Sequence, residues 1–279
     1  MRSATVLFAL LFISSALAQT PQASPAAPSN WPTAQFASAK DPSVQKAYQV
    51  LNGMLRALGG DAYLNVRTME SQGRAYSFYH GQPNSMSILY WRFWEWPDKE
   101  RIEQTKQRDI VELYNGDKAY EITYKGTATK EPKEVEEHLR HREHSLEWVV
   151  RKWLPARGTM VLYSGTAMVE RNLADQVTVL NASNDSVTIS VDGRSRLPVK
   201  VSYSWRDPAD RQFDDEDVVF SNYKRVQGVQ TPYSVVRNRN GEMTSQRFVT
   251  SATYNTELAP AMFEPKGILY GPGKQTAPK

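Results

Sequence analysis

The segment LPVKVSYSW, residues 197–205, alternates apolar and polar side chains and decides the fold. Its odd-numbered residues are all apolar, whereas Lys200, Ser202 and Ser204 lie between them. Successive side chains of a strand point to opposite faces of the sheet. The segment therefore predicts an antiparallel sheet with one buried face and one solvent-facing side.

Similar alternating segments surround this strand, and short turn signals such as Asn115-Gly116, Asp192-Gly193 and Asn240-Gly241 separate them. Two segments have helical periodicity instead. One follows Asp41-Pro42 and ends at Gly59-Gly60, and the other extends from about Pro132 to Leu154. We therefore predict an α+β fold in which a few helices cover part of one large curved antiparallel sheet of about 10–11 strands.

The segment MSILYWRFWEW, residues 86–96, is bulky on both faces of a strand and must be covered on both. With few helices available, one covering layer can be only partial, and the gap would form an apolar cavity. We predict a cavity around Trp91, Phe93 and their neighbours, although these rings are equally consistent with a filled core. The candidate ligand-binding residues are Tyr90, Trp91, Phe93, Trp94, Val201, Tyr203 and Trp205.

Catalytic and metal-binding motifs are absent from the sequence. It has no cysteine, no Gly-x-Ser-x-Gly segment, no His-Glu-x-x-His segment and no phosphate-binding glycine loop. His138, His141 and His144 are weak metal candidates in the second helix, and a solvated charged helix face explains them more simply. The acidic run at residues 214–217 favours a polar strand edge or the start of a hairpin. We therefore predict no enzyme and no cofactor.

Charge and composition separate the chain into regions. The 34 basic and 30 acidic side chains give a net charge of +4 without a basic block, so we expect no nucleic-acid partner. Residues 1–18 are predicted to be a signal peptide cut after Ala18, and residues 19–40 a flexible leader rich in Pro, Ala and Ser. One domain at residues 41–265 and a flexible tail at residues 266–279 follow. The expected location is the periplasm or the exterior, without a membrane span.

Three segments carry a resemblance to a known family. They are DGRSRLPVKV at residues 192–201, FSNYKRVQGVQTP at residues 220–232 and NTELAPAMFEP at residues 255–265. They resemble the turn-then-strand, hairpin and closing segments of the periplasmic outer-membrane lipoprotein-sorting proteins. The resemblance implies an unclosed half-barrel whose helices cover the concave side and enclose a cavity for acyl chains.

The function expected from this resemblance is a periplasmic binding or carrier protein for a hydrophobic ligand, such as a lipid or the acyl chains of a lipoprotein. Two alternatives remain open. One is an envelope protein–protein interaction module whose cavity is filled by its own side chains. The other is a metal-dependent enzyme that uses His138, His141 and His144.

Overall fold

The computed structural model describes residues 41–84 and 86–266, together with the backbone of residues 269–270. The predicted signal peptide, the predicted leader and the predicted tail beyond Lys266 lie outside the residues whose side chains are described. None of the described helices is long and apolar enough to cross a bilayer.

The described residues form one sheet with a few helices. The strands are β1 Thr68–Tyr79, β2 Gln82–Pro83, β3 Ile88–Glu95, β4 Lys99–Gln104, β5 Ile110–Asn115, β6 Lys118–Thr123, β7 Gly126–Thr129, β8 Met160–Val169, β9 Asn172–Leu180, β10 Ser186–Asp192, β11 Pro198–Arg206, β12 Phe213–Val226, β13 Val229–Arg239, β14 Glu242–Tyr254 and β15 Leu269–Tyr270. The α-helices are α1 Pro42–Leu58, α2 Asp61–Leu64, α3 Pro132–Glu143 and α4 Leu146–Trp148. A π-helical turn, Val149–Trp153, follows α4, and a 3-10 turn covers Pro260–Phe263.

The sheet is open, with strand order β15-β7-β6-β5-β4-β3-β1-β14-β13-β12-β11-β10-β9-β8, and β2 pairs with β1. The described neighbours pair antiparallel, apart from the parallel contact of β15 with β7. This confirms the predicted α+β half-barrel. The strands outnumber the prediction partly because β8 was missed: a bulge between Tyr163 and Gly165 interrupts its alternation.

Two meanders make up this sheet and meet at one seam. The chain builds β3 to β7 outward from β1, crosses through α3 and α4, and then returns from the far edge through β8 to β14. Strand β14 finally pairs with β1, with Met69 opposite Tyr254. The first and last long strands therefore join the two halves of the sheet.

Helix α1 forms as the sequence predicts and fills one half of the concave face. Asp41 caps it by accepting a hydrogen bond from the Ser43 amide at 2.8 Å, and Gly59 ends it with a φ of 127°. Its buried side chains are Ala47, Tyr48, Val50, Leu51, Met54, Leu55 and Leu58. They pack on valine and isoleucine side chains of β8, β9 and β10 and form a continuous core.

The second predicted helix is interrupted, which corrects the expectation of one helix from Pro132 to Leu154. Helix α3 ends at Glu143, and the Ser145 hydroxyl accepts a hydrogen bond from the Trp148 amide at 3.2 Å to start α4. Serine is more favourable at such a cap than in a helix interior, so one helix ends and a new one begins here. Helix α3 buries no residue fully, whereas Leu146, Val149, Val150 and Trp153 after Ser145 are buried.

Candidate ligand-binding cavity

A cavity of about 250 Å³ lies between the concave face of the sheet and the chain from α3 to the π-helical turn. Strands β1, β3, β4, β11, β12, β13 and β14 provide its floor, and side chains from His138 to Arg151 provide its cover. We call this covering segment, Pro132–Trp153, the lid. The volume is slightly below the range of about 300–1,000 Å³ that is typical of small-molecule sites.

Four of the seven predicted binding residues line this cavity: Tyr90, Trp94, Val201 and Tyr203. They lie on two strands of the floor, β3 and β11, and strand alternation directs them to the concave face. Further apolar wall comes from β12 to β14, where Phe220, Val235 and Val249 face the same space. The predicted apolar surface therefore exists, although it is assembled from more strands than the sequence indicated.

Trp91 and Phe93 lie on the opposite face of β3 and do not line the cavity. Phe93 packs against a separate cluster formed by Leu113, Leu258 and Phe263. The Arg108 guanidinium lies over both rings, 5.0 Å from the Trp91 ring centre and 5.7 Å from that of Phe93. Both faces of β3 are covered, as predicted, but the cavity is on the face of Tyr90 and Trp94.

Trp205, the remaining candidate, belongs to a polar network around Glu216 rather than to the cavity lining. Glu216 is 6 % exposed. Its carboxylate accepts hydrogen bonds from Trp205 Nε1 at 2.9 Å, Tyr203 Oη at 2.8 Å, Arg239 Nη2 at 2.9 Å and His141 Nε2 at 2.7 Å. Burial raises the pKa of Glu216, but the hydrogen bonds from His141 and Tyr203 and the charge of Arg239 outweigh it and hold the pKa well below its usual range. The run at residues 214–217 does stand at the start of β12 in the β11–β12 hairpin, but the alternative expectation of a polar edge is wrong for Glu216.

The same network attaches the lid to the sheet. Arg237 donates to His141 Nδ1, and this leaves the proton on His141 Nε2, which donates to Glu216. Burial, together with the Arg237 charge, lowers the pKa of His141 accordingly. Arg239 also donates to Glu137 at 2.9 Å, and the Arg140 guanidinium stacks 3.4 Å from the Trp205 ring centre. Polar contacts thus hold α3 in place.

The three histidines do not form a metal centre in this arrangement. His138 stacks on Tyr114 with 3.6 Å between ring centres, His141 is bound by Arg237 and Glu216, and His144 Nε2 lies 2.9 Å from Asp185. No group of three ligand-type side chains stands close enough to hold a metal ion anywhere in residues 41–84 and 86–266. The expected solvated face is also wrong, because the His144 side chain is only 8 % exposed and that of His141 only 19 %.

The cavity floor also carries charged residues that the sequence pattern did not predict. Arg92 forms an ion pair with Glu100 inside the cavity, and Arg237 and Arg247 line it from β13 and β14. Burial raises the pKa of Glu100, but Arg92 more than compensates and holds it at about 2. The position of Arg92 could have been predicted from the sequence. It lies two residues from both Tyr90 and Trp94, so its side chain points to the same face of β3. The concave face is therefore amphipathic rather than purely apolar.

No protein-family model and no curated protein matches the sequence. Solved structures match the fold. A DUF1329 family protein from Desulfovibrio piger is similar over 78 % of this chain and 97 % of that chain, with a TM-score of 0.52 and 12 % identity. A domain described as that of an outer membrane lipoprotein-sorting protein, from Vibrio parahaemolyticus, is similar over 78 % of this chain and 96 % of that chain, with a TM-score of 0.50 and 8 % identity. This confirms the lipoprotein-sorting-like fold that the three sequence segments indicated.

Proposed function

We propose that this chain is a periplasmic binding or carrier protein for a hydrophobic ligand, either a lipid or the acyl chain of a lipoprotein. The cavity between sheet and lid carries this proposal. Aromatic and aliphatic side chains from several strands form part of its lining. Binding of an apolar ligand that displaces water from such a surface lowers the free energy. Function by binding also fits a cavity whose three histidines are held by other side chains, with His138 stacked on Tyr114 and the other two paired with carboxylates outside the cavity lining.

The size of the cavity sets the scale of the expected affinity. Burial of one CH₂ group contributes about 0.8 kcal/mol, so a chain of about ten groups would gain about 8 kcal/mol. That is the scale of a Kd of about 1 μM, before the cost of ordering the ligand is subtracted. We expect lid motion to control entry, because Leu146, Trp148 and Arg151 of the lid line the same cavity.

Native mass spectrometry of the full chain, exported to the periplasm and purified without detergent, tests this proposal. We expect a bound lipid that is released when the protein is denatured. In the emptied protein, the neutral fluorophore N-phenylnaphthylamine should gain emission on binding and lose it when lipid is added. A matched variant, Ala252→Trp, fills the cavity and should abolish both signals. A protein that carries no lipid and does not bind the fluorophore would refute the proposal.

A further inference from the structure

The charged side chains that face the cavity are unbalanced. Six cationic residues line it: Arg92, Lys99, Arg142, Arg151, Arg237 and Arg247. Only three carboxylates line the same space: Asp98, Glu100 and Glu147. A cavity that served only for apolar burial would gain nothing from this excess, because desolvating a guanidinium costs free energy unless it is compensated.

Most of these cations already have partners within the protein. Arg92 is paired with Glu100, and Lys99 donates to Glu95 at 2.9 Å. Arg142 donates to the Gly116 carbonyl at 2.9 Å, and Arg151 donates to the carbonyls of Tyr63 and Val66 at 2.6 and 2.7 Å. These four residues have structural roles in the lid and the floor.

Arg237 and Arg247 differ from the other four. Across residues 41–84 and 86–266, no carboxylate lies within ion-pair distance of either guanidinium, and the polar partner of Arg237 is the neutral ring of His141. Burial, followed by the charges of Arg92 and Arg237, lowers the pKa of Arg247 to about 10. A positive charge is therefore held in the cavity wall at an electrostatic cost that an anion would remove.

The strand register brings these two arginines together. Arg247 on β14 pairs with Val235 on β13, and Arg237 pairs with Ser245, so the two arginines are diagonal neighbours on the concave face. Such neighbours are about 7–8 Å apart at the backbone, which long side chains span easily. Tyr90 adds a hydroxyl close enough for Arg247 to influence its pKa, which burial raises overall. Two guanidiniums with this spacing suit the oxygens of one carboxylate or phosphate.

The apolar wall continues directly from this pair. Val249 follows Arg247 on the same face of β14, and Val235 precedes Arg237 on β13. We infer that the ligand is an anionic amphiphile, an inference that rests on the proposed binding function. Its carboxylate or phosphate is bound between Arg237 and Arg247, and its chain lies along the apolar wall. The headgroup then lies under His141 and the chain under the remainder of the lid.

Calorimetric titration of the delipidated full chain with three probes tests this inference. The probes are dodecanoate, the uncharged dodecanol and inorganic phosphate, each below the concentration at which the amphiphiles aggregate. We expect dodecanoate to bind about tenfold or more tightly than dodecanol, and phosphate alone to bind much more weakly than either. Arg247→Gln should remove most of the preference for dodecanoate over dodecanol. The control Lys99→Gln, a change at a paired cation of the same cavity, should preserve the preference.

The other outcomes separate this inference from the proposed function. Equal binding of dodecanoate and dodecanol would overturn the anionic headgroup while leaving a hydrophobic carrier. Phosphate binding as strong as dodecanoate binding would overturn the amphiphile and indicate a site for a free anion. Failure of both amphiphiles to bind would refute the proposed function itself. If Arg247→Gln does not fold, the comparison of acid and alcohol on the unmodified protein still decides the matter.

Discussion

Helices α1 and α3 cover the concave face of one sheet in opposite ways. Helix α1 buries seven side chains and closes its half of the face, where Leu51, Val177 and Ile189 are fully inaccessible to solvent. Helix α3 buries none fully and leaves the cavity beneath it. We call these parts the filled half and the hollow half. The contrast teaches that the covering helix, rather than the sheet, decides where a ligand can enter.

The two halves are also stabilised by different interactions, because α1 is buried in its half and α3 is not. The filled half depends on apolar burial and close packing, which act at all pH values where the chain folds. The cover of the hollow half depends on hydrogen bonds and charges around Glu216, and these respond to protonation and to substitution of single polar atoms. Variants in each half therefore make this comparison testable.

The largest effect is expected from Leu51→Ala in the filled half. The variant leaves a void in a close-packed core and should lower the free energy of unfolding by about 2–5 kcal/mol. The matched change Val235→Ala, in the wall of the hollow half, should cost about 1 kcal/mol or less, because the side chain already borders open space. Equilibrium unfolding in urea measures both. Equal losses would contradict the distinction between the halves.

Glu216→Gln should have the next largest effect. The carboxylate neutralises Arg239 and accepts from three further donors, and an amide cannot satisfy the same set, so we expect a loss of about 2 kcal/mol. The adjacent carboxylate of Asp217, which binds Asn238 and is more exposed, provides the control. Asp217→Asn should change the free energy of unfolding by less than about 0.5 kcal/mol. A Glu216→Gln protein as stable as the unmodified chain would show that the network contributes little.

A smaller, pH-dependent effect is expected from His138 in the lid. Burial, with further contributions from Arg142 and Arg237, lowers its pKa from 6.5 to about 4 despite the nearby Glu100. The unfolded chain therefore binds a proton below pH 6.5 that the folded chain rejects, and stability from this residue is lost as the pH falls from about 6.5 to 4.

The substitution His138→Gln should flatten the pH dependence in this window, as measured by urea midpoints at several pH values. His80→Gln, which removes an exposed imidazole, is the matched control. A His138→Gln protein with an unchanged pH dependence would contradict the burial of this ring.

The smallest effect is expected within α1. Gly53 lies in the helix interior, and a Cβ atom there would meet only the Arg196 side chain, at 3.8 Å. Gly53→Ala should therefore stabilise the protein by about 0.5–1 kcal/mol through helix propensity alone.

Gly73→Ala, at the bulge of β1, should instead destabilise the protein. The added Cβ atom would collide with the Phe248 carbonyl oxygen, so the backbone would have to shift. Thermal unfolding measures the change in stability of the Gly53→Ala and Gly73→Ala variants. A Gly73→Ala protein that melts no lower than the unmodified chain would contradict the close approach of β1 and β14.

The sequence predicted the elements better than the site. Alternation at residues 197–205 and the cap signals at Asp41 and Gly59 depend on local geometry, so strand and helix could be derived from them. Alternation in β3 defines two faces but does not say which one is concave. That choice depends on Leu258 and Phe263, far away in the chain, which cover Phe93 and leave Tyr90 and Trp94 facing the cavity.

The polar part of the site was hidden for a similar reason. Glu216 stands in an acidic run, and only its pairing with Tyr203 across β11 and β12 shows that it alone turns inward to be buried. Arg237 and Arg247 become neighbours through the β13–β14 register, which the sequence does not state. Such pairings are long-range properties of the sheet, and local periodicity cannot specify them.

The seam between β1 and β14 has a consequence for how the chain folds. Each meander can form from neighbouring hairpins, but the sheet becomes continuous only when Met69 meets Tyr254, across nearly the whole domain. Contacts of such sequence separation carry a large loop-closure entropy and slow the folding reaction. We expect the edge of β1 to stay unpaired until the C-terminal strands form, so that a chaperone which shields this edge during folding would raise the yield of native protein.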